Sequence, residues 1–288
     1  SAQETSPTGL AFNTTGSKMF VIGTSGDDVN EYTLSVVFDV STATFVDSFS
    51  VSTQDVSPSG LAFNVDGTKM FVCGTDGNDV NEYALTTGFD VSTASYTRNY
   101  SVATNAGSPV AVAFNLDGTK MFIVSSTNVV EYGLSTGFNV STGSYTQTLS
   151  VSAQLAAPQG VVFNTDGTKM FLTGQVSDAL STAFNISSAS FTDAFSVVAQ
   201  EGSPKDVRFN TDGTKMFVVG DNGDAVYEYS VGTKLAPSGY QPVHTTSSTD
   251  TTYWTDINSM TASQAAGDGN VYYAISTDDR TTWSVIKD

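Results

Sequence analysis

A block of the form Pro-x-Gly-hydrophobic-x-Phe-Asn-x-x-Gly-x-Lys-Met-Phe recurs at Pro7, Pro58, Pro109, Pro158 and Pro204, with spacings of 51, 51, 49 and 46 residues. Five of the seven prolines and five of the six methionines stand in this register. So do Phe12, Phe63, Phe114, Phe163 and Phe209, and the lysines Lys18, Lys69, Lys120, Lys169 and Lys215. Self-similarity at this period restricts the chain to an array in which each unit lacks a core of its own and buries its faces against the next.

Each copy reads as short strands divided by turn residues, which excludes helix. Gly-Leu-Ala-Phe-Asn is a first strand. The Asp-Gly pairs at Asp66-Gly67, Asp117-Gly118, Asp166-Gly167 and Asp212-Gly213 predict a hairpin, because Gly accepts the positive φ of a tight turn. Lys-Met-Phe-Val is a second strand, and Gly-x-x-Gly-x-Asp turns it into Val-Asn-Glu-Tyr, a third. Phe45, Tyr96, Tyr145 and Phe191 open a fourth after a Ser/Thr-rich turn. Four antiparallel strands per period match one blade of a β-propeller.

The expected fold is therefore all-β, with four-stranded repeats at about 7–52, 58–102, 109–151, 158–197 and 204–232, the fourth having a shortened third strand. Residues 233–288 leave the repeat but still alternate apolar and polar side chains. A divergent sixth blade fits them, and so does a β appendage beside a five-bladed ring. Ser1-Ala2-Gln3 aligns with the end of a fourth strand, which predicts that the chain starts mid-pattern and is a segment of something larger.

Charge and rare residues narrow the function classes. The 288 residues carry 11 Lys+Arg against 29 Asp+Glu, a formal net charge of −18. A disulfide scaffold or a Cys/His zinc site needs several ligands, whereas Cys73 and His244 are the whole inventory. An acidic surface with scattered lysines disfavours nucleic acid and anionic membrane surfaces as partners. No apolar run approaches the roughly 18 to 20 residues of a membrane span. The first residues show neither the basic start nor the apolar stretch of a signal peptide. With charged residues at only 14%, Ser, Thr, Asn and Gly supply the polarity, as in extracellular β proteins.

The motif set over residues 1–232 resembles the repeat β-propellers of the YVTN and WD40-like type found in secreted bacterial proteins and marine phage tail-associated proteins. The Trp-Asp of true WD40 repeats is absent. Near the C-terminus, Ser276-Thr277-Asp278-Asp279-Arg280-Thr281-Thr282-Trp283 resembles the Asp-box of sialidase-type blades, with Arg280 in place of its Gly. Resemblance to sialidases implies three arginines around one carboxylate together with a Tyr and a Glu. The arginines here are Arg98, Arg208 and Arg280, in different repeats. A propeller lactonase would hold a metal at the channel, usually beside a His, and His244 stands alone.

Several residue sets invite a functional reading. The repeated lysines and Glu31, Glu82, Glu131 and Glu228 are expected to pair within one blade, fixing register. The acidic turns Asp27-Asp28, Asp76 to Asp79 and Asp221 to Asp224 offer oxygens for Ca2+, although Asp, Asn and Gly are also what a tight turn requires. Cys73 takes the place of Ile22, Val124, Thr173 and Val219 and is expected to be a buried strand residue.

Gln3, Gln54, Asn105, Gln154 and Gln200 precede the repeat prolines by four residues, at the link between blades. They are the expected ligand-binding residues, a ring of amides suited to sugar hydroxyls, with specificity in the neighbouring Glu4, Asp55, Ala106, Leu155 and Glu201. The alternative is that each amide ties down its own loop. The resulting expectation is a non-enzymatic recognition or structural module of a virion or cell surface, a phage tail or decoration protein or a bacterial adhesin. It would be present in many copies, contact a cell-surface glycan or other surface proteins, and have no catalytic residues and no required cofactor. A propeller hydrolase of glycosidase or lactonase type is the alternative.

Overall fold

A computed structural model of the chain describes residues 3–173, 176–180, 183–231, 273–275 and 284–286. The chain divides into two units, Ser1–Ala236 and Pro237–Asp288. In the first, repeat 1 contributes β1 (Pro7–Phe12), β2 (Lys18–Gly23), β3 (Asp28–Leu34) and β4 (Ala43–Ser50). Repeat 2 contributes β5 (Pro58–Phe63), β6 (Lys69–Gly74), β7 (Asp79–Leu85) and β8 (Ala94–Ser101). Repeat 3 contributes β9 (Pro109–Phe114), β10 (Lys120–Ser125), β11 (Asn128–Leu134) and β12 (Gly143–Ser150). Repeat 4 contributes β13 (Val161–Phe163), β14 (Lys169–Leu172), β15 (Val176–Leu180) and β16 (Ala189–Asp193), and repeat 5 contributes β17 (Pro204–Phe209), β18 (Lys215–Gly220) and β19 (Ala225–Ser230).

Each repeat is an antiparallel meander, and the fold is all-β and propeller-like. Four sheets have four strands, but the fifth has three among the described residues, which corrects the expectation of five four-stranded blades. The reason is in the sequence after Ser230, where the Phe-Asp-Val-Ser-Thr turn and the aromatic opening of a fourth strand are missing. The first strands of the five repeats are neighbours in order, and β17 packs directly against β1. Among the described residues no further inner strand stands between those two. The second unit contains β20 (Tyr273–Ile275) and β21 (Ser284–Ile286), an antiparallel pair with Tyr273 opposite Ile286. The Asp-box-like segment 276–283 and His244 lie outside the described residues.

Local chemistry explains the meander. Proline is tolerated at the first position of a strand, and the register shifts between Pro7 and Gly9 absorb its missing donor. The first turn is closed by an asparagine: Lys69 N donates to the Asn64 side chain at 2.9 Å, and Thr68 N donates to Asp66 at 3.0 Å. Gly67 then takes φ +73°, with Phe89 packed where a β-carbon would stand.

The core lies between blades rather than inside them. Ala11, Phe20, Ile22 and Val29 of repeat 1 form one cluster with Leu61, Met70, Val72 and Tyr83 of repeat 2. The same junction carries an aromatic triad, with Phe20 at 4.6 Å from Phe63 and Phe63 at 5.4 Å from Phe89. Phe71, Phe114 and Phe138 repeat it, as do Phe122, Phe163 and Phe184. Phe217, Phe12 and Phe38 form it once more where repeat 5 meets repeat 1.

The repeated lysine pairs within its own blade, Lys18 with Glu31 at 2.6 Å and Lys69 with Glu82 at 2.9 Å. Lys120 with Glu131 and Lys215 with Glu228 follow, at 2.9 and 2.7 Å. Each ammonium also reaches the next blade, donating to the backbone carbonyl of a phenylalanine at positive φ: Lys18 to Phe89, Lys69 to Phe138, Lys120 to Phe184 and Lys215 to Phe38. In turn Glu31 accepts from Val91 N at 3.0 Å, and Glu82 from Val140 N at 3.2 Å. The pair is thus a clamp between blades as well as a register pin.

Glu82 is 2% exposed, so Glu82→Ala leaves Val140 N without its acceptor and Lys69 with only the Phe138 carbonyl in the junction. Removing one partner of such a pair costs about 3 kcal/mol. Urea denaturation should show that loss, whereas Asp66→Ala in the exposed turn should cost no more than about 1 kcal/mol.

A second comparison isolates the aromatic packing. A β-carbon on Gly67 would lie 2.2 Å from Phe89, while one on Gly213, at φ +72°, meets nothing within 4 Å. Gly213→Ala should cost only the left-handed backbone penalty of about 1 to 2 kcal/mol, and Gly67→Ala clearly more in the same melts.

Candidate functional site

Pro7 pairs opposite Gly23, so the interblade links and the turns between second and third strands share one face of the sheet ring. On that face the link folds into one recurrent turn. Gln54 N donates to Val51 O at 2.9 Å, Asn105 N to Val102 O at 3.1 Å, and Gln154 N and Gln200 N to Val151 O and Val197 O, both at 3.0 Å. The turn sends the amide outward and the following residue inward. Gln3, Asn105, Gln154 and Gln200 are exposed and Gln54 is half-buried.

Two amides lean on the third-strand tyrosine of the blade they lead into. The Tyr83 hydroxyl donates to Gln54 Oε1 at 3.3 Å, and the Asn105 side chain hydrogen-bonds Tyr132, whose hydroxyl burial pushes up to about 12. Gln154 leads into repeat 4, where Asp178 stands in the tyrosine register opposite Met170. Gln3 lines a cleft of about 170 Å³ with Glu4, Tyr32, Val40, Asp224 and Val226. Elsewhere a fourth-strand aromatic stands edge-on to that tyrosine, Phe49 on Tyr83 and Tyr100 on Tyr132 at 5.6 and 5.7 Å.

Four of the five neighbours expected to carry specificity are buried pegs instead, and Leu155 is half-buried. Glu4, Asp55, Ala106 and Glu201 are at most 4% exposed. Glu4 accepts from Ser6 N at 2.6 Å and Ser25 N at 3.2 Å, so it staples the link to the acidic turn. Glu201 does the same with Ser203 N and Asn222 N. A carboxylate placed one residue after an exposed amide has to follow the turn inward, which sequence spacing alone does not reveal.

The acidic turns spend their oxygens locally. Asp27, Asn78 and Asp224 adopt positive φ, the conformation that selects Asp and Asn in such turns. Asp28 accepts from Asn30 at 2.7 Å, and Asp79 accepts from both Asn81 and Asn99. Among the described residues no group of three or more His, Cys, Asp or Glu is placed to hold a metal ion. Cys73 is fully buried, and burial pushes its thiol well above the ordinary range.

One constellation escaped the motif reading. In the first strands the third residue is Gly9, Gly60, Ala111 and Gly160 in repeats 1 to 4, and the fifth residue is Ala11, Ala62, Ala113 and Val162. Repeat 5 has Asp206 and Arg208 there. Arg208 pairs with Asp206 at 2.7 Å and donates to Val161 O of repeat 4 at 3.3 Å and to Leu61 O of repeat 2 at 3.1 Å. Asp206 accepts from Leu10 N of repeat 1 at 3.0 Å, and burial raises its carboxyl above the usual range. Aligning the repeats column by column was the signal that would have found the pair. Arg98, by contrast, lies on β8 beside Glu82 and Asn139, so the two described arginines stand on an outermost and an innermost strand.

No family model matches the chain, and no curated protein matches it in sequence. Solved structures do resemble it in fold. A Bacteroides uniformis protein provisionally named a 6-phosphogluconolactonase is 12% identical, with a TM-score of 0.47 over 77% of this chain and 65% of its own. A Lactobacillus plantarum protein is 15% identical, with a TM-score of 0.48 over 78% of this chain and 67% of its own. A Desulfotomaculum acetoxidans protein of unknown function is 12% identical, with a TM-score of 0.46 over 74% of this chain and 62% of its own. This chain therefore spans less than two thirds of the Bacteroides uniformis protein. The expectation that the chain is not an enzyme is withdrawn, because a propeller named for an enzyme is among those similar structures. A residue inventory poor in His, Cys and Arg does not exclude carboxylate acid–base chemistry.

Asp55 supplies a pH test of the buried pegs. Burial, with a contribution from the Asp79 and Asp76 charges, raises its carboxyl above the usual 3.8. The folded state thus holds this proton more tightly than the unfolded chain, so the contribution is most favourable below pH 3.8 and is lost as pH rises through the folded value. Asp55→Asn keeps the acceptor for Ser57 N and removes the buried charge. Thermal melts should show it more stable than the parent at pH 7, with the gain shrinking toward pH 4.

Proposed function

We propose that this chain is a recognition propeller of a virion or cell surface, binding a hydroxyl-rich ligand such as a cell-surface glycan on the face that carries the interblade links. The observation that carries the reading is the single hydrogen-bonded turn, used at four links, that presents Gln54, Asn105, Gln154 and Gln200 from equivalent places while turning the next residue inward. A primary amide both donates and accepts, so it matches vicinal hydroxyls without requiring a ligand charge. The carboxylates packed beneath that face and the net charge of −18 oppose anionic ligands. A phage tail or decoration protein, or a bacterial adhesin, is the setting that suits such a face, since weak contacts become useful affinity when many copies engage together.

The combined variant Asn105→Ala, Gln154→Ala, Gln200→Ala tests this on a glycan array. At about 1 kcal/mol per hydrogen bond, losing three should weaken binding roughly a hundredfold. Undiminished binding by the variant, or binding of neither protein to any neutral glycan, would overturn the proposal.

A further inference from the structure

The junctions of this ring are nearly interchangeable. The lysine–carbonyl contact joins repeats 1 to 2, 2 to 3, 3 to 4 and 5 to 1 in the same way, with the same positive-φ phenylalanine as acceptor. An array with equivalent junctions has no reason, from those contacts alone, to close repeat 5 on its own repeat 1. Repeat 5 of one chain can equally meet repeat 1 of another, a head-to-tail contact that builds open or wider assemblies.

Asp206 and Arg208 break that equivalence. They occupy columns that hold only Gly, Ala or Val in the other repeats. Between them they contact three other repeats: Leu10 N of repeat 1, Val161 O of repeat 4 and Leu61 O of repeat 2. Repeat 2 is not a neighbour of repeat 5 in the ring, so Arg208 reaches Leu61 by crossing its interior. Those partners are backbone groups on the free edges of first strands, which have no ladder partner on the side facing the axis. Asp206 also packs directly against Gly160 of the repeat before it, where a β-carbon would lie 2.5 Å from Asp206 Oδ1 and 2.4 Å from Thr173 Oγ1. All these partners come together only when five repeats have closed into one ring, because in an open or wider assembly repeat 2 no longer stands across the axis from repeat 5.

We infer that the Asp206–Arg208 pair is a closure key, which selects the closed five-repeat ring over open or wider chain-to-chain assemblies by bonding inner-edge backbone groups of repeats 1, 2 and 4 from repeat 5. Its role is to discriminate between two ways of making the same junctions.

The test uses the full chain, unfolded in urea and refolded over a range of protein concentrations, with mass read by size-exclusion chromatography and light scattering. The double variant Asp206→Gly, Arg208→Ala restores the residues common in those columns and should refold with native far-UV circular dichroism but a several-fold larger oligomeric fraction than the parent. Arg208→Met, which keeps bulk and leaves the Asp206 bond to Leu10, should fall between the two and serves if the double variant does not refold. A monomer fraction equal to that of the parent in whichever variant refolds would overturn the inference, as would oligomers whose proportion ignores protein concentration.

Discussion

No blade of this protein can bury its own faces, and the contact that answers this constraint is the clamp from each lysine to the next blade. A four-stranded meander presents apolar residues on both sides, so its stability comes from the surface it shares with its neighbours. Apolar contact alone would let blades slide. The nearly buried glutamate fixes the lysine, and the lysine fixes one carbonyl of the following repeat, Phe89 for Lys18 and Phe138 for Lys69. Because that phenylalanine has positive φ and its ring rests on the turn glycine, the clamp also holds the aromatic triad in place. Hydrogen bond, backbone conformation and ring packing are therefore one device, used again at each of four junctions.

The two ends of the radial sheets meet different problems. The outermost strands face solvent and carry Ser, Thr and charged residues, with Phe45, Tyr96, Tyr145 and Phe191 half exposed. The innermost strands converge so closely that repeats 1 to 4 hold only glycine or alanine at the third position, where a β-carbon on Gly60 would lie 2.7 Å from Ala111 Cα. Convergence also gathers unpaired backbone groups around the axis. Repeat 5 answers with an ion pair where the other repeats have only small or apolar residues.

The strands, their turns and the same-blade Lys–Glu pairing were legible because each is written at a fixed offset inside one repeat. Lys69 and Glu82 lie 13 residues apart in the chain, and the two paired strands of one hairpin bring them together. The amides were legible as a register, but the burial of Glu4, Asp55 and Glu201 was not. Whether the residue after an amide points outward or inward depends on a turn closed by Val51 O or Val197 O, and carbonyls have no residue identity to read. Among the described residues repeat 5 shows no fourth strand, and its sequence after Ser230 lacks the turn and aromatic signals of the others.

By itself the sequence determined a repeating all-β array, its hairpin turns and the buried place of Cys73, since periodicity and turn chemistry act over a few residues. Only the tertiary structure decided which repeats touch, that β17 lies against β1, and that Arg208 meets a carbonyl 147 positions away. Such contacts follow from the angle at which successive sheets pack and from where the ring closes. Neither is encoded in any one repeat.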